Sequence, residues 1–228
     1  DLTNAYLHHA DLSNADLTNA YLGYANLHDA DLNNANLTGA DLTNADLTGA
    51  DLTNADLTGA NLLYADLTGA NLLYADLTGA DLTDADLTGA NLDYVRGMNL
   101  LGCPAYLPTD WQCLNNNLVG PRADLSNANL YSADLSNADL TDAYLHHADL
   151  SNADLTGANL LYADLTGADL TDADLTGANL DYVRGMNLLG CPAYLPTDWQ
   201  CLQNNLVGPY ASLYYADLSN ADLSGADL

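Results

Sequence analysis

The chain has 228 residues, contains no Lys, Glu, Ile or Phe, and carries 31 Asp against three Arg, which gives a formal net charge of −28. This charge argues against direct contact with nucleic acid or an anionic membrane, and no apolar run reaches the ~20 residues of a membrane span. Hydrophobic residues nevertheless make up 49% of the chain, mostly Leu and Ala. The composition therefore indicates a folded protein with its acidic groups outside.

A five-residue repeat of the form A-[DN]-L-[ST]-[NG] fills most of the chain. Its central Leu recurs from Leu2 to Leu92, from Leu125 to Leu180 and from Leu213 to Leu228, which gives 35 repeats. An α-helix turns by about 100° per residue and thus by roughly 500° per repeat, so these Leu side chains would form no apolar stripe. The period excludes an ordinary amphipathic helix.

An extended chain suits the repeat better, because Ala and Leu then share one face while the Asp between them points the other way. The odd period would reverse the faces at every repeat unless one residue is absorbed at a corner. Asn or Gly in the last position suits a corner, since both tolerate positive φ. The pattern predicts a β-solenoid with Ala and Leu inside.

The stretch "ADLTNADLTGADLTNADLTGA" at 40–60 resembles the pentapeptide-repeat proteins, and the likeness extends over about three quarters of the chain. The resemblance implies an all-β fold, a right-handed quadrilateral β-helix with about 20 residues per coil. Asp46, Asp66 and Asp86 would then form one vertical column. We expect some of these carboxylates to be coupled and to titrate upward. We expect no cofactor beyond non-specific divalent cations on such columns.

Two insertions interrupt the repeats, at 95–122 and 183–210, and leave solenoid segments at 1–94, 123–182 and 211–228. We expect these segments to form one continuous solenoid domain. Residues 71–121 recur as 159–209, with Gln203 in place of Asn115 as the only difference.

Each insertion is interpreted as a loop that leaves the solenoid and returns by a hairpin. In the first copy, the expected strands are 111–114 and 118–119, with the Asn run 115–117 as the turn. The segment also resembles an LPxxWxxxNxxLVGP-type insertion of some bacterial pentapeptide-repeat proteins.

All four Cys lie in the insertions, as the pairs Cys103 and Cys113, and Cys191 and Cys201. A disulfide within each pair would add ~2–4 kcal/mol to a lobe with little core of its own, and would favour an extracellular, periplasmic or lumenal location. The alternative is free thiols packed as small hydrophobic groups in a cytosolic protein. The chain begins at Asp1 without an apolar signal segment, so we expect a processed chain or an excerpt of a longer protein.

Histidine and aromatic residues supply the other candidate sites. With 20 residues per coil, His8 and His28 would lie one above the other near Asp29, where they could hold a divalent metal weakly or simply decorate the surface. Stacked tyrosine rings are expected on the segments 1–94 and 123–182, with a Trp-bearing hairpin beside each. They would stabilise neighbouring coils or serve as an adhesive patch. The interaction candidates are Tyr74, Tyr94, Trp111, Tyr162, Tyr182 and Trp199.

No catalytic constellation is visible, and we predict that the protein is not an enzyme. Carboxylate chemistry needs two acids in different environments, whereas 23 of the 31 Asp occupy the same outward position of the repeat. No nucleophile–base pair, glycine-rich phosphate loop or zinc motif occurs.

The first functional hypothesis is a structural or interaction scaffold, a rigid acidic rod that forms or belongs to a head-to-tail filament or a longer repeat protein. Repeats run to both termini without a polar cap, which predicts self-association end to end. The alternative is a DNA mimic, because some pentapeptide-repeat proteins bind DNA gyrase in place of DNA. At ~4.8 Å per coil the rod would carry ~0.7 charge per Å, against ~0.6 for duplex DNA. The repeat itself sets this density, so the likeness to DNA is weak evidence.

Overall fold

The computed structural model describes residues 1–224, so the last predicted repeat, which begins at Ala226, lies outside the described residues. Residues 1–224 contain no helix, and hence none that could cross a bilayer. This described part of the chain has four short strands, β1 Gln112–Leu114, β2 Asn117–Val119, β3 Gln200–Leu202 and β4 Asn205–Val207. The chain forms two compact units, unit 1 Asp1–Leu118 and unit 2 Val119–Leu228.

The repeats pair with one another through isolated parallel bridges between residues 20 apart. In unit 1 these bridges run from Tyr6–Asn26 to Asp86–Tyr106, and in unit 2 from Asp124–Tyr144 to Asp174–Tyr194. Each 20-residue stretch, here called a coil, contains four bridge positions separated by two-residue turns. The coil length that the family resemblance implied is therefore the one observed within each unit.

Every backbone N–H of a typical repeat has a partner, as the repeat at 46–50 illustrates. The Asp N–H bonds to the preceding coil at 2.9 Å, and the Leu and Gly N–H groups bond to the following coil at 2.7 and 2.9 Å. The Ala N–H closes the turn on the Leu carbonyl at 3.0 Å, and the Thr N–H bonds to the Asp side chain at 3.1 Å. Buried backbone N–H groups need hydrogen-bond partners, and the five-residue repeat provides one for each of its N–H groups.

The core of each unit consists of the Ala and central Leu side chains, as the alternation predicted. From Leu22 to Leu92, and again from Leu125 to Leu180, the central Leu are at most 2% exposed. Burial of one such side chain contributes ~1.5–3 kcal/mol, and each inner coil buries four of them. The Leu side chains of the first coil, by contrast, are only partly buried.

The corners lie at the last position of the repeat, where the backbone adopts positive φ. Asn4 has a φ of 59° and Gly39 a φ of 64°, which confirms the role predicted for Asn and Gly. The same conformation also holds bulkier residues, including Tyr74 at 60° and Tyr94 at 57°. Left-handed backbone costs a non-glycine residue roughly 1–2 kcal/mol, so these Tyr residues need a compensating contact.

The first part of each insertion does not leave the coil, which corrects the expectation for 95–122 and 183–210. Arg96, Gly102 and Tyr106 still form bridges with the preceding coil. The offset rises from 20 to 21 residues at Gly102 and returns to 20 at Tyr106, so the chain has one extra residue between Arg96 and Gly102 and one fewer between Gly102 and Tyr106. Pairing persists because Val95 and Leu100, each at most 1% exposed, take the inward positions that Ala75 and Ala80 occupy in the preceding coil.

The hairpins form only in the second part of the insertions. β3 and β4 pair in antiparallel register with Cys201 opposite Leu206, and β1 and β2 form the equivalent two-stranded sheet. β2 rests on the coil, since the Leu118 N–H donates to the Gly97 carbonyl at 2.7 Å. A Cβ at Gly97 would lie 2.6 Å from a Leu118 methyl carbon, so this approach requires glycine. The predicted hairpin is present, but β2 begins at Asn117, a residue expected in the turn.

Candidate functional site

The outward Asp side chains form part of the backbone hydrogen-bonding scheme. Oδ1 of Asp16 accepts the Thr18 N–H at 3.1 Å and the Thr18 hydroxyl at 2.6 Å. Asn36 accepts the same two bonds from Thr38, at 3.0 and 2.7 Å. This shared geometry explains why Asp and Asn alternate at the first position and why Ser or Thr follows two residues later. The sequence interpretation placed the acids outside but missed this role.

These hydrogen bonds also decide the direction in which several carboxylates titrate. The column predicted at Asp46, Asp66 and Asp86 is present as consecutive bridges. Hydroxyl and backbone donors of the following Ser or Thr, however, lower the pKa of Asp11 and of Asp16 below its ordinary value. Asp134, Asp174, Asp217 and Asp222 likewise have a lowered pKa. Burial acts to raise the pKa of Asp56, but the donors of Thr58 and Thr38 together lower it. In these carboxylates the donors stabilise the charged form, and the upward titration expected within the column stays a prediction.

The Thr18 hydroxyl is the largest cause of the lowered pKa of Asp16, so the Thr18→Val variant should raise this pKa toward the ordinary 3.8. A lowered folded-state pKa stabilises the protein above the unfolded-state pKa, and this contribution disappears as pH falls through the folded-state value. Carbon-13 NMR titration of the Asp16 carboxyl measures the effect directly. The Thr176→Val variant in unit 2 should leave the Asp16 pKa unchanged. A wild-type Asp16 pKa at or above 3.8 would contradict the interpretation.

Stacked tyrosines follow the corners of both units, as the 20-residue coil predicted. The ring centroids of Tyr74 and Tyr94 are 4.9 Å apart with 12° between the planes, and those of Tyr162 and Tyr182 are 4.9 Å apart with 15°. Tyr210 extends the second ladder at 5.8 Å from Tyr182. Stacking of this kind contributes ~0.5–1.5 kcal/mol per pair, which offsets part of the cost of the positive φ. The use of these rings for partner binding stays a prediction.

The histidine cluster differs from the arrangement that we expected. Asp29 Oδ2 lies 3.2 Å from His28 Nε2 and 3.7 Å from His9 Nδ1, and the His8 ring packs edge-on against His9. Among the residues that the structure describes, no group of three or more His, Cys or Asp side chains is arranged to hold a metal ion. We therefore do not propose a metal site at His8, His28 and Asp29.

Both predicted cysteine pairs lie at disulfide distance. The sulfur atoms of Cys103 and Cys113 are 1.98 Å apart, and those of Cys191 and Cys201 are 1.94 Å apart. Cys113 lies in β1, whereas Cys103 directly follows the bridged residue Gly102. Each bond thus joins the first hairpin strand to the last paired coil.

Both tryptophans make packing contacts in or beside the hairpins. Trp111 is half-buried and packs against the core of unit 1, and the Trp199 ring lies directly over Gly208, where it leaves no space for a Cβ. The Trp111 contact attaches the first hairpin to unit 1, and the Trp199 contact closes the base of the second hairpin.

A buried asparagine, missed at the sequence level, supports each hairpin. Asn117 is 1% exposed, and its side-chain amide donates to the carbonyls of Asn115 at 2.9 Å and Leu114 at 3.3 Å. Its Oδ1 accepts the Asn99 N–H at 3.3 Å. The signal was present in the duplication, because Asn115 is replaced by Gln203 whereas Asn117 recurs as Asn205.

The Asn117→Ala variant should lower the free energy of unfolding by ~1–3 kcal/mol, because it leaves buried backbone groups without partners. Urea unfolding monitored by tryptophan fluorescence measures this loss. Asn115→Gln is the matched control, since the second copy already has Gln203 in this turn. Equal losses in the two variants would show that the buried amide has no special role.

A second group missed from the sequence surrounds Asp164, which is one of three buried polar or charged residues among those described. Nη1 of Arg184 lies 3.1 Å from Oδ2 of Asp164, and Nδ1 of His146 lies 3.5 Å from Oδ1. The sequence contains one indication of this charged group, which is Arg184. Only three Arg occur in the chain, and this one occupies a repeat position usually held by Asp or Asn.

Comparison with known proteins identifies relatives of the repeats. The sequence profile of the pentapeptide repeats matches in eight copies, over residues 1–39, 35–72, 60–96, 122–157, 148–184 and 211–228. These ranges omit the central part of each insertion. No curated protein sequence gives a match.

Several solved structures are similar to the chain. HetL, a pentapeptide repeat protein involved in heterocyst differentiation regulation in the cyanobacterium Nostoc sp. strain PCC 7120, is 36% identical over 79% of this chain and 74% of its own, with a TM-score of 0.37. Rfr23 of the cyanobacterium Cyanothece 51142 is 41% identical over 41% of this chain and 59% of its own, with a TM-score of 0.34. QnrB1, a plasmid-mediated fluoroquinolone resistance protein, is 18% identical over 82% of this chain and 88% of its own, with a TM-score of 0.31.

Proposed function

The chain belongs to the pentapeptide-repeat family, and on that premise we propose that each unit is a right-handed quadrilateral β-helix that serves as a non-enzymatic acidic scaffold. Four bridge positions and four turns per 20-residue coil support the four-sided form. The observation that carries the scaffold proposal is the use of the outward Asp side chains, whose Oδ1 atoms accept the N–H and hydroxyl of the second following residue. Side chains committed to the corners stabilise the coils of each unit rather than perform chemistry.

The titration behaviour of the carboxylates supports a role without catalysis. A general acid needs a carboxyl whose pKa is raised, so that it remains protonated at neutral pH. The hydrogen bonds from Ser13 and Thr18 shift the pKa of Asp11 and Asp16 in the opposite direction. These groups stay charged and contribute to the net charge of −28.

Self-association by coil stacking is the partner interaction that we propose. The bonds between neighbouring coils have the same pattern along each unit, for example Leu27 N–H to the Asp46 carbonyl at 2.7 Å and Leu47 N–H to the Asp66 carbonyl at 2.7 Å. A coil from another copy of the chain could therefore be added with the same pairing. This mode of assembly produces a head-to-tail filament or a segment of a longer repeat array.

Negative-stain electron microscopy and light scattering at moderate salt test this proposal. Fibres or a concentration-dependent rise in mass support it, and a monodisperse species at all concentrations contradicts it. The alternative, a DNA-mimicking inhibitor or protector of DNA gyrase, draws on the net charge of −28. A monodisperse protein that inhibits gyrase supercoiling would favour that alternative.

The chemical environment of the protein follows from the two cysteine pairs. Their sulfur–sulfur distances of 1.98 and 1.94 Å support an oxidising compartment, and we propose an extracellular, periplasmic or lumenal location. We also propose that divalent cations screen the Asp columns without a defined site. A melting temperature that does not change on addition of Mg²⁺ or Ca²⁺ would contradict this last point.

A further inference from the structure

A cleft of about 410 Å³ lies on unit 2, beside the second tyrosine ladder. It is lined by three Tyr, one charged pair and one Ser: Tyr144, Tyr162, Tyr182, Asp164, Arg184 and Ser212. Small-molecule sites typically have volumes of ~300–1,000 Å³, aromatic walls and a few well-placed polar groups. The cleft has all three features, although the scaffold role proposed above assigns it no purpose.

The charged pair in the cleft presents hydrogen-bond donors rather than a bare carboxylate. The Asp164 side chain is only 12% exposed, and its Oδ2 faces Arg184 at 3.1 Å. Its Oδ1 accepts the N–H and hydroxyl of Thr166 at 3.0 and 2.6 Å. Both oxygens are thus engaged. The Arg184 side chain is 47% exposed and has five N–H donors, of which this salt bridge uses few.

Aromatic side chains form the rest of the lining. Tyr162 and Tyr182 stack at 4.9 Å on one side and are about half exposed. A backbone bridge pairs Tyr144 with Asp164, so Tyr144 lies one coil before Asp164. Its phenol ring lies 6.1 Å from the ring of His146, whose Nδ1 is 3.5 Å from Asp164. Phenol rings combine apolar carbon with a hydroxyl that can donate and accept.

We propose that this cleft binds a neutral saccharide. An anionic ligand would be repelled by the net charge of −28, and a cationic ligand would find the Asp164 carboxylate already engaged on both oxygens. Guanidinium, phenol and Ser212 hydroxyl groups match the alternating donors and acceptors of sugar hydroxyls. The carbon surface of the tyrosines suits the C–H groups of a sugar ring.

The duplication within the chain provides a similar region that lacks three of the groups around the cleft. Tyr144, His146 and Ser212 correspond, 88 positions earlier, to Asp56, Thr58 and Asp124. The two Tyr of the ladder, the Asp and the Arg are unchanged, as Tyr74, Tyr94, Asp76 and Arg96. Tyr144→Asp therefore introduces a residue that the same position of the repeat already accommodates in unit 1.

Saturation-transfer NMR and calorimetry with maltose, cellobiose, sucrose and N-acetylglucosamine test the proposal on the full chain. At least one of these sugars should bind, and Tyr144→Asp, Tyr162→Asn and Arg184→Gln should each weaken its binding by about tenfold or more. Tyr74→Asn is the matched control and should leave the affinity unchanged, because it alters the equivalent ladder of unit 1. Circular dichroism establishes that each variant retains its fold.

Three outcomes would overturn the assignment. The first is the absence of binding by all four sugars at roughly 50 mM, where even a weak site with a Kd of about 10 mM would be mostly occupied. The second is an equal effect of Tyr74→Asn and Tyr162→Asn. The third is displacement of the bound sugar by equimolar tetramethylammonium or inorganic phosphate, which would show that the cleft selects a charged ligand.

Discussion

Replacement of Leu57 by Ala is expected to lower the free energy of unfolding of unit 1 by about 2–5 kcal/mol, because it removes a fully buried side chain and leaves a cavity. Leu57 has no exposed surface, and Leu37 and Leu77, its counterparts in the neighbouring coils, have none either. Ala side chains complete the interior, so the walls have few longer groups that could move into the cavity. Denaturant unfolding, with hydrogen exchange to localise the loss, measures the effect.

Leu7→Ala is the control for this prediction, since Leu7 occupies the same repeat position in the first coil and is only partly buried. Leu7→Ala should lower the free energy of unfolding clearly less than Leu57→Ala does, because folding removes less apolar surface of Leu7 from water. Similar losses at the two positions would mean that burial within the stack is not the main source of stability.

Removal of the Cys103–Cys113 bond should destabilise the first hairpin by ~2–3 kcal/mol, as expected for a closed loop of about ten residues. The bond joins β1 to the last paired coil, and β2 rests on that coil through the Leu118 N–H at 2.7 Å from the Gly97 carbonyl. In the Cys103→Ala/Cys113→Ala variant, exchange of the Leu118 amide should therefore accelerate by roughly a hundredfold.

The second hairpin provides an internal control, because Cys191 and Cys201 have the same spacing and geometry. Removal of that bond should accelerate exchange at Leu206, which donates to the Gly185 carbonyl at 2.7 Å, and leave Leu118 unchanged. Intact mass measured after alkylation without reductant checks the premise. Four alkylated cysteines in the native protein would show that the bonds do not form.

Local features of the fold were readily predicted because the repeat contains their causes. Alternation of Ala, Asp and Leu set which side chains lie inside, and Asn or Gly set where the corners occur. The role of Asp could also have been inferred, since Asp followed two residues later by Ser or Thr is the pattern of a side-chain-capped turn. The net charge alone suggests repulsion between coils and gives no indication of this local bond.

The insertions were predicted less well, because their residue pattern departs from the five-residue period, whereas the backbone of their first part still pairs with the preceding coil. Val95 and Leu100 take inward positions, and the extra residue before Gly102 is compensated by one residue fewer before Tyr106. Nothing in a run of irregular spacing indicates that pairing continues. The beginning of β2 at Asn117 was missed for a similar reason, since three consecutive Asn are typical of a turn.

The sequence by itself determined the inside and outside of the structure, the corners and the hydrogen bonds that lie within one repeat. Each of these depends on residues no more than five positions apart. Only the tertiary structure decided which repeats become neighbours, because the five letters contain nothing that sets the number of corners per coil. Contacts between residues 20 apart, including the Asp164–Arg184 pair and the Tyr162–Tyr182 stack, exist only once four corners have closed a coil. The cleft formed by these residues therefore depends on the geometry of the stack rather than on any motif in the sequence.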